Sequence, residues 1–215
     1  MELIANGAIQ KWRQFIGPTN SDKARAEAPN SIRAMFGTDG TKNAVHGSDS
    51  PTSARREIDF WFGGDASTRA MQTTAVMNNC TMCIIKPHII KNGQVGQVID
   101  MILNAGFEIS AAEMFNLSRP MIEEFYCVYK GVLPEYVPLI EHMSNGPTLM
   151  LEVRQEDAVQ AFRSFTGPYD PEIAKHLAPK SIRAQFGGDR VKNAVHCTDL
   201  PEDGNLECQY FFDVL

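Results

Sequence analysis

The sequence lacks the features that define several broad classes of protein. It has no apolar run that approaches the roughly 20 residues of a transmembrane helix, so no membrane partner is expected. It has no excess of basic residues, and a formal charge of −6 with a pI near 5.4 argues against bulk binding to nucleic acid. It opens without the charged and apolar regions of a secretory signal. Because the net charge is negative, a phosphate site would need individually placed arginines and lysines.

The cysteines are also too few, and wrongly spaced, for a disulfide framework or a zinc finger. There are five, an odd number that fits reduced thiols and a cytoplasmic location. Cys80 and Cys83 form a C-x-x-C pair, but no second pair lies at zinc spacing. They fall in an apolar run typical of a buried strand, where residues three apart point to opposite faces. We interpret them as two small core residues.

What the sequence does contain is a repeat at a fixed offset of 150 residues. From Ser31 to Asp49, 13 of 19 positions are identical to those of Ser181 to Asp199, including the segment Asn-Ala-Val-His. The register also holds outside this block, for example at Arg13 and Arg163. Because polar residues are kept as well as apolar ones, the repeat predicts a repeated site and not only a repeated fold.

The two copies differ in what precedes them, and this predicts the domain organisation. Before the second copy, apolar patterns predict alternating strands and helices, with strands near 80–86, 107–117 and 148–153 and a loop from Pro87 to Gly93. Residues 1–4 align with the last of these strands, so the first copy begins inside it. We therefore expect a truncated module at 1–62, a linker at 63–78 and a complete module at 79–215.

The predicted order of strands and helices indicates an α+β fold. It favours a ferredoxin-like (split βαβ) sandwich, in which helices cover one antiparallel sheet, in tandem modules with the first truncated. A doubly wound parallel sheet is the alternative. Half a sheet in residues 1–62 would leave an exposed edge that invites pairing with another chain or aggregation.

The repeated polar residues point to phosphoryl transfer. Imidazole is a competent nucleophile near neutral pH, and His46 and His196 are the repeated histidines. Each needs a partner on its other ring nitrogen, which Glu57 and Glu207 could supply directly or through the hydroxyls of Ser48 and Thr198. Charge neutralisation needs cations, and the candidates are Arg13, Arg33, Arg163, Arg183 and Lys86. The unrepeated His88, His142 and His176 are expected to be surface or loop residues.

These motifs together resemble the nucleoside diphosphate kinase family. The matching segments are Ile85-Lys86-Pro87, Gly93-x-x-Gly96, Ser144-Asn145-Gly146-Pro147, Ser181-Ile182-Arg183 and Asn193-x-x-His196, in the family's order and spacing. Residues 80–215 cover essentially a whole family module, and residues 1–62 resemble the latter part of another. The resemblance implies transfer of the γ-phosphate of ATP or another nucleoside triphosphate to a nucleoside diphosphate. It also implies Mg²⁺ held chiefly by the nucleotide phosphates, with no dedicated metal ligands.

The resemblance assigns roles residue by residue. In the second module His196 matches the phosphorylated histidine and Glu207 its orienting partner. The matched nucleotide contacts there are Lys86, Tyr126, Arg163, Arg183 and Asn193. In the first module, the matching residues are Arg13, Thr19, Arg33, Asn43, His46, Ser48 and Glu57.

The second module also departs from the family's pattern. Cys197 and Thr198 stand where the family prefers glycine and serine, and Tyr169 replaces a phosphate-binding threonine. Tyr136 is the candidate for base stacking. The first module lacks the strand that would bring the lysine. These departures keep a second hypothesis open, a catalytically weak kinase-fold scaffold. Two-module relatives are associated with centrosomes and ciliary axonemes, which would imply γ-tubulin or axonemal microtubule partners.

Overall fold

A computed structural model describes residues 1–63 and 73–215. Contacts divide the chain into two compact units, Met1–Met71 and Gln72–Leu215, and each is described by itself. Part of the predicted linker 63–78 lies outside the described residues. In the described ranges, no helix has both the length and the apolar character needed to cross a bilayer.

The first unit is helical in its described part. Its helices are α1 (Ala8–Ile16), α2 (Ser21–Glu27), α3 (Ile32–Phe36) and α4 (Pro51–Phe62). Asn20, Ser31 and Ser50 cap the last three of these, because each side chain accepts a bond from a backbone N–H of the first turn. The strand predicted at residues 1–4 is wrong. An isolated strand leaves its backbone groups unpaired, and the described residues of this unit supply no second strand.

The second unit contains a four-stranded sheet. The strands are β1 (Cys80–Ile85), β2 (Glu108–Phe115), β3 (Thr148–Arg154) and β4 (Val195–Cys197), in the order β2-β3-β1-β4. Every neighbouring pair is antiparallel. The predicted α+β, ferredoxin-like class is confirmed, and the doubly wound parallel alternative is wrong.

Eight α-helices accompany this sheet in the described part of the second unit. They are α5 (Pro87–Lys91), α6 (Val95–Asn104), α7 (Arg119–Phe125), α8 (Tyr136–Met143), α9 (Ala158–Thr166), α10 (Pro171–Leu177), α11 (Ile182–Phe186) and α12 (Asp203–Gln209). The segment Tyr210–Val214 continues as a π-helical turn. Helix α5 occupies a stretch that the sequence predicted as loop, and Pro87 at its first position fits the fixed φ of proline.

The 150-residue repeat is also a structural repeat. Helices α9, α10 and α11 have the same bounds as α1, α2 and α3 once 150 is subtracted. Gly17 and its counterpart Gly167 (the residue 150 positions away) both adopt positive φ, +81° and +83°. A Cβ there would lie 2.2 and 2.3 Å from the Oγ atoms of Ser31 and Ser181. Glycine is therefore required at both positions by conformation and by space.

The core of the second unit lies on both faces of the sheet. Alternate residues of β1 enter two different hydrophobic clusters: Cys80 and Ile84 belong to one, and Cys83 and Ile85 to the other. All five cysteines are free, and only Cys127 is exposed. The prediction that Cys80 and Cys83 are core residues on opposite faces is confirmed.

The stretch before β1 packs against the second unit. The backbone N–H groups of Val76 and Met77 donate to the buried Glu152 carboxylate at 2.7 Å each, and the Ser110 hydroxyl donates to it as well. Ala75 and Met77 pack against the first cluster. Residues 73–78 were predicted as linker from their position, but apolar side chains and a buried carboxylate that needs donors hold them on the sheet.

Candidate functional site

His196 lies on β4, which pairs with the central strand β1 so that His196 is opposite Ile84. The side chain is 8% exposed. Its ring makes edge-to-face contacts with Phe125 and Tyr126 of the α7 end, at centroid distances of 5.3 and 5.5 Å. The aromatic wall fixes the plane of the imidazole.

Glu207 of α12 orients this imidazole. His196 Nε2 lies 3.0 Å from Glu207 Oε2, and the Thr198 hydroxyl donates to the same oxygen at 2.8 Å. Thr198 Oγ1 in turn accepts from the Met82 backbone N–H at 3.0 Å. With the Nε2 proton held by a carboxylate, the lone pair of the neutral ring lies on Nδ1. The sequence predicted that Glu207 meets His196 either directly or through the Thr198 hydroxyl. In the structure both the imidazole and the hydroxyl bond to Glu207.

Lys86 follows β1 directly and is 2% exposed. Its ammonium donates to the Val191 carbonyl at 2.9 Å. Burial, with the positive charge of Arg183 as a further cause, lowers the pKa of Lys86 from 10.5 to about 7. This lysine is therefore poised to gain a proton when a polyanion binds beside it.

The two predicted arginines have different surroundings. Arg183 is buried and donates to the carbonyls of Gly167 and Val195 at 2.8 and 3.3 Å. Arg163 is half-exposed and forms an ion pair with Asp199. Arg183 therefore ties together the loops around the site, whereas Arg163 keeps an accessible guanidinium at its rim.

Sequence reasoning missed three residues around the site: Phe125, Tyr129 and Asp199. The Tyr129 hydroxyl donates to the Asp199 carboxylate, which also accepts a hydrogen bond from the Arg163 guanidinium. Burial opposes the ionisation of Asp199, yet the Tyr129 hydroxyl and the Arg163 guanidinium hold its pKa below the ordinary value. The signal for Asp199 was present, since it is identical to Asp49 in the repeat. Phe125 and Tyr129 have no counterpart in the first copy.

Asn193 and Tyr169 lie together at another wall of the site. The Asn193 amide donates to the Tyr169 carbonyl at 3.0 Å. The guanidinium groups of Arg183 and Arg190 lie 5.9 and 5.7 Å from the centre of the Tyr169 ring. Arg190 also pairs with Glu135 at 2.9 Å. Tyr169 therefore stands in a positively charged corner, as expected of a phosphate-binding region.

Several buried polar atoms around His196 have no hydrogen-bond partner among the described residues. They are the hydroxyls of Tyr126 and Tyr169, Arg183 Nε and Asn193 Oδ1. All four belong to residues that the sequence assigned to nucleotide binding. Unpaired buried polar groups are rare and costly, so their concentration here fits a polar ligand that completes them.

Tyr136 lies at the start of α8 and packs against the first hydrophobic cluster. Its side chain is partly buried, and its proposed stacking on a base stays a prediction. The preceding residue, Glu135, faces Arg190 instead.

The first unit repeats the central constellation. His46 Nε2 lies 2.9 Å from Glu57 Oε2, and the Ser48 hydroxyl donates to that oxygen at 2.7 Å. These bonds to Ser48 and His46 lower the pKa of Glu57. Asn43 donates to the Thr19 carbonyl at 3.2 Å, matching Asn193 and Tyr169. A cavity of about 320 Å³ gathers the predicted residues Arg13, Thr19, Arg33, Asn43, His46 and Glu57.

The two sites differ in enclosure. The His46 side chain is 76% exposed against 8% for His196. In the second unit Phe125 and Tyr126 cover the imidazole, and both come from a part of the module without a counterpart in the first unit. Arg33 donates to the Gly17 carbonyl at 2.8 Å and to the Val45 carbonyl at 2.9 Å. Arg183 makes the equivalent bonds to Gly167 and Val195 in the second unit. The first site therefore has the scaffold of the second without its cover.

Cys197 does not crowd His196. Val195 and Cys197 belong to the second hydrophobic cluster, on the face of β4 opposite to His196. Cys197 Sγ lies 3.4 Å from both Thr166 Oγ1 and Arg183 Nη2. In the first unit the same position is Gly47, where an added Cβ would lie 2.8 Å from both Ile16 Cδ1 and Trp12 Cδ1. Because Ile16 is the counterpart of Thr166, the larger Ile16 goes with the smaller Gly47, a compensation to which the Trp12 ring also contributes.

A double-mutant cycle tests this compensation. Gly47→Cys alone is expected to destabilise the first unit by about 1–3 kcal/mol through overpacking, and adding Ile16→Thr should recover about 1 kcal/mol relative to additivity. Both tryptophans of the chain, Trp12 and Trp61, lie in the first unit, so urea unfolding followed by tryptophan emission reports it. Additive effects would show that the two positions are independent.

Two of the three remaining histidines are not surface residues, contrary to expectation. His88 of α5 and His142 of α8 are half-buried, with His88 Nδ1 lying 3.0 Å from His142 Nε2. Burial lowers the pKa of each to about 4, with nearby positive charges such as Lys86 as further causes. The prediction failed because α5, which turns His88 inward, was taken for a loop. His176 is exposed, as predicted.

The described residues offer one group of three potential metal ligands, Cys80, Glu152 and Cys208, all buried. Two thiols do not suit Mg²⁺, which prefers oxygen ligands.

Comparisons with known proteins agree with this geometry. The family model described as nucleoside diphosphate kinase matches residues 1–66 and 79–214. Nucleoside diphosphate kinase homolog 7 of Rattus norvegicus is 51% identical over the whole chain, which spans 54% of that relative's length. The nucleoside diphosphate kinase of Aquifex aeolicus is 39% identical over 135 residues, 63% of this chain and 94% of that protein.

A solved structure extends the comparison to the fold. A crystal form of the Aquifex aeolicus nucleoside diphosphate kinase aligns with a TM-score of 0.60 and 38% identity, over 63% of this chain and 95% of that one. The chain belongs to the nucleoside diphosphate kinase family.

Proposed function

We propose that this chain transfers the γ-phosphate of a nucleoside triphosphate to a nucleoside diphosphate through a phosphohistidine at His196. The observation that carries the proposal is the buried imidazole whose Nε2 is held by Glu207, surrounded by unpaired polar atoms of the predicted nucleotide contacts. His46, with Glu57 and Ser48, is proposed as a second, weaker site.

The reaction has two in-line steps. In the first, the Nδ1 lone pair of His196 attacks the γ-phosphorus, and the bond from that phosphorus to the bridging oxygen breaks, so that the nucleoside diphosphate leaves with the electron pair. In the second, a terminal phosphate oxygen of another nucleoside diphosphate attacks the same phosphorus, and the P–N bond breaks. The proton stays on Nε2 throughout and is donated in a hydrogen bond to the Glu207 carboxylate. This carboxylate stabilises the positive charge on the phosphorylated ring.

The surrounding residues would position and neutralise the phosphates. Lys86 and Arg163 supply positive charge, and Arg183 links Gly167, which follows α9, to Val195 of β4. The Tyr126 hydroxyl and the Asn193 amide oxygen are free to bond phosphate or sugar groups. Mg²⁺, when bound with the nucleotide, supplies further neutralisation of phosphate charge.

Labelling of the purified chain with [γ-³²P]ATP tests the proposal. We expect a protein-bound label that survives base, is lost in acid and is discharged within the mixing time by excess ADP. The acid lability distinguishes a phosphohistidine from a phosphoserine or phosphothreonine. A label that resists acid, or a chain that takes up none while it binds nucleotide, would contradict the proposal.

A second candidate function is a scaffold that keeps the kinase fold with weak or no catalysis. The observation behind it concerns the candidate for base stacking: Tyr136 packs against the first hydrophobic cluster, and the preceding Glu135 forms an ion pair with Arg190. On this reading, cytoplasmic partners such as γ-tubulin or axonemal microtubules would bind the outer surface. Co-sedimentation with microtubules, together with absent labelling, would favour it, whereas brisk turnover without co-sedimentation would exclude it.

A further inference from the structure

Three side chains with metal-binding atoms converge inside the first hydrophobic cluster of the second unit. They are Cys80 of β1, Glu152 of β3 and Cys208 of α12, and their ligand atoms all lie within 4.8 Å of one another. Glu152 and Cys208 are fully buried, and Cys80 is 6% exposed. Cys80 is opposite Arg154 in the β1–β3 pair, and Arg154 is two residues from Glu152, so Cys80 and Glu152 share a face of the sheet. The cluster is therefore held by three separate elements of the fold.

The Glu152 carboxylate lies among apolar side chains, and no cation in the described part of the chain pairs with it. Its hydrogen-bond donors there are three. The Val76 N–H donates to Oε2 and the Met77 N–H to Oε1, at 2.7 Å each, and the Ser110 hydroxyl donates to Oε2. Oε1 thus accepts a single bond from these residues and keeps a lone pair for a further ligand. Buried charges in proteins are normally paired or bound to a metal.

The two thiols lie beside each other and beside oxygen atoms of α12. A hydrogen bond with Cys80, together with burial, raises the pKa of the Cys208 thiol. Cys80 Sγ lies 3.2 Å from Asn205 Oδ1 and 3.9 Å from the Gly204 carbonyl oxygen. Asn205 is exposed, so the sulfur pair has a polar neighbour at the surface through which an ion could enter.

This donor set favours zinc. Thiolate sulfur and carboxylate oxygen suit Zn²⁺, whereas Mg²⁺ and Ca²⁺ prefer oxygen ligands alone. Zn²⁺ holds sulfur at about 2.3 Å and oxygen at about 2.0–2.2 Å in a tetrahedron, so its ligand atoms stand about 3.4–3.8 Å apart. Side-chain movements of about 1 Å would bring the three ligand atoms of the cluster from their present spread of 4.8 Å to this spacing. The Asn205 amide oxygen is in reach of the fourth position.

Zinc would enter this core without adding charge to it. With both thiols protonated, the cluster carries the single negative charge of Glu152. Zn²⁺ replaces the two thiol protons, which leave to solvent, and forms two Zn–S bonds and one Zn–O bond. The cluster then again carries one negative charge, so binding does not increase the buried charge. Because protons are released, binding grows stronger as the pH rises.

We propose that Cys80, Glu152 and Cys208 bind a zinc ion that fastens α12 to strands β1 and β3. The helix already approaches β1 closely, since a Cβ added to Gly204 would lie 2.5 Å from the Cys80 carbonyl oxygen. Cys208 directly follows Glu207, the partner of the proposed phosphohistidine. The ion therefore stabilises the second unit and fixes the helix that carries Glu207. Metal binding itself is independent of phosphotransfer.

Titration of the reduced full chain with Co²⁺ alone, without nucleotide, tests the site. Co²⁺ accepts the tetrahedral ligand sets of Zn²⁺ and reports them by absorption. We expect saturation at one ion per chain, a thiolate-to-cobalt charge-transfer band in the near ultraviolet, and displacement of the Co²⁺ by Zn²⁺. Binding without the charge-transfer band would place the ion on other groups, such as His88 and His142, and would overturn the proposal. So would a chain that binds neither ion.

Proton release is a second measurement and needs no variant. Calorimetric titration with Zn²⁺ in buffers of different ionisation enthalpy should show release of about two protons per ion at neutral pH, because two thiols must ionise. Neutral histidines would release none. Release of one proton or fewer would contradict the thiol pair as ligands.

Variants of β1 locate the site. Cys80→Ala should abolish the charge-transfer band, and so should Cys208→Ala. Cys83→Ala is the matched control, because this buried cysteine of the same strand belongs to the cluster on the opposite face, and it should keep the band. Glu152→Gln should weaken Zn²⁺ binding at least about tenfold, since even the outer-shell partners of metal ligands contribute that much.

Stability gives an independent readout on the same chains. Anything that binds only the folded state stabilises it, so Zn²⁺ should raise the urea midpoint of the second unit in wild type and in Cys83→Ala, but not in Cys80→Ala. A folded Cys80→Ala chain that keeps the charge-transfer band or is stabilised equally by Zn²⁺ would overturn the proposal.

Discussion

Replacement of His196 by alanine is expected to remove nearly all acid-labile phosphoryl label from the second unit, lowering the rate of labelling by at least about a thousandfold. The imidazole is the nucleophile in the proposed reaction, and no neighbouring group described here can substitute for it. Phe125 and Tyr126 pack against the ring but carry no nucleophile activated by a base. The label is measured after rapid quenching into base, with His46→Ala and the double variant in parallel.

Glu207→Gln distinguishes the role of Glu207 from that of the nucleophile. The amide keeps the shape of the side chain but loses the charge that favours the phosphorylated imidazole. We expect a fall in the labelling rate of about 10- to 100-fold, smaller than that of His196→Ala. His176→Ala, at an exposed histidine of α10, is the matched control and should label normally. Label that persists in the double histidine variant would show that neither repeated histidine is the acceptor.

The sequence predicted the central site well because the repeat carried it. Asn193, His196 and Glu207 were singled out by their counterparts in the first copy, and the structure bonds His196 to Glu207 and Asn193 to the Tyr169 carbonyl. Residues without a counterpart were harder to assign. Phe125 ends α7 and Tyr129 lies in the turn after it, and they contact His196 and Asp199 across a long stretch of chain, 70 residues between Tyr129 and Asp199, which no local pattern encodes.

The errors have a common physical cause. A strand is stable only with a partner, so the alignment of residues 1–4 with β3 did not make them a strand. Likewise, Cys197 points away from His196 because adjacent residues of β4 point to opposite faces of the sheet. Its replacement of the family's glycine does not decide this orientation. His88 and His142 meet because α5 and α8 approach each other, although 54 residues separate them in the chain. Local sequence predicts elements better than it predicts which elements meet.

The comparison of the two units shows how much enclosure depends on the missing elements. His46 and His196 have the same carboxylate partner and the same hydroxyl, at distances that agree within about 0.1 Å. Their exposed fractions nonetheless differ, 76% against 8%. Exclusion of water strengthens electrostatic stabilisation of a transferred phosphoryl group. We therefore expect the second unit to carry most of the activity.

Lys86→Met should separate stability from function. A lysine with a pKa of about 7 in the folded unit and 10.5 in the unfolded chain binds fewer protons when folded, between these two pH values. Stability therefore rises with pH across that window, and the full cost of burying the charge is present below pH 7. Methionine carries no such cost. Because a tenfold change in proton affinity corresponds to about 1.4 kcal/mol, we expect Lys86→Met to stabilise the second unit by several kcal/mol at pH 6, an advantage that is lost above pH 10.5.

The same substitution should lower phosphotransfer at every pH, since the site loses a cation that the incoming phosphates would keep protonated. All five tyrosines lie in the second unit, so near-ultraviolet circular dichroism of tyrosine follows its unfolding in urea. Taking the difference between wild type and variant cancels other titrating groups, such as Tyr129, whose pKa is raised by burial and by Asp199. A difference that does not change between pH 6 and 10 would show that Lys86 keeps its charge in the folded unit. Phosphotransfer at the wild-type rate would show that this cation does not act on the phosphates. A more stable but slower variant would mean that the buried lysine is retained for the nucleotide at the expense of the fold.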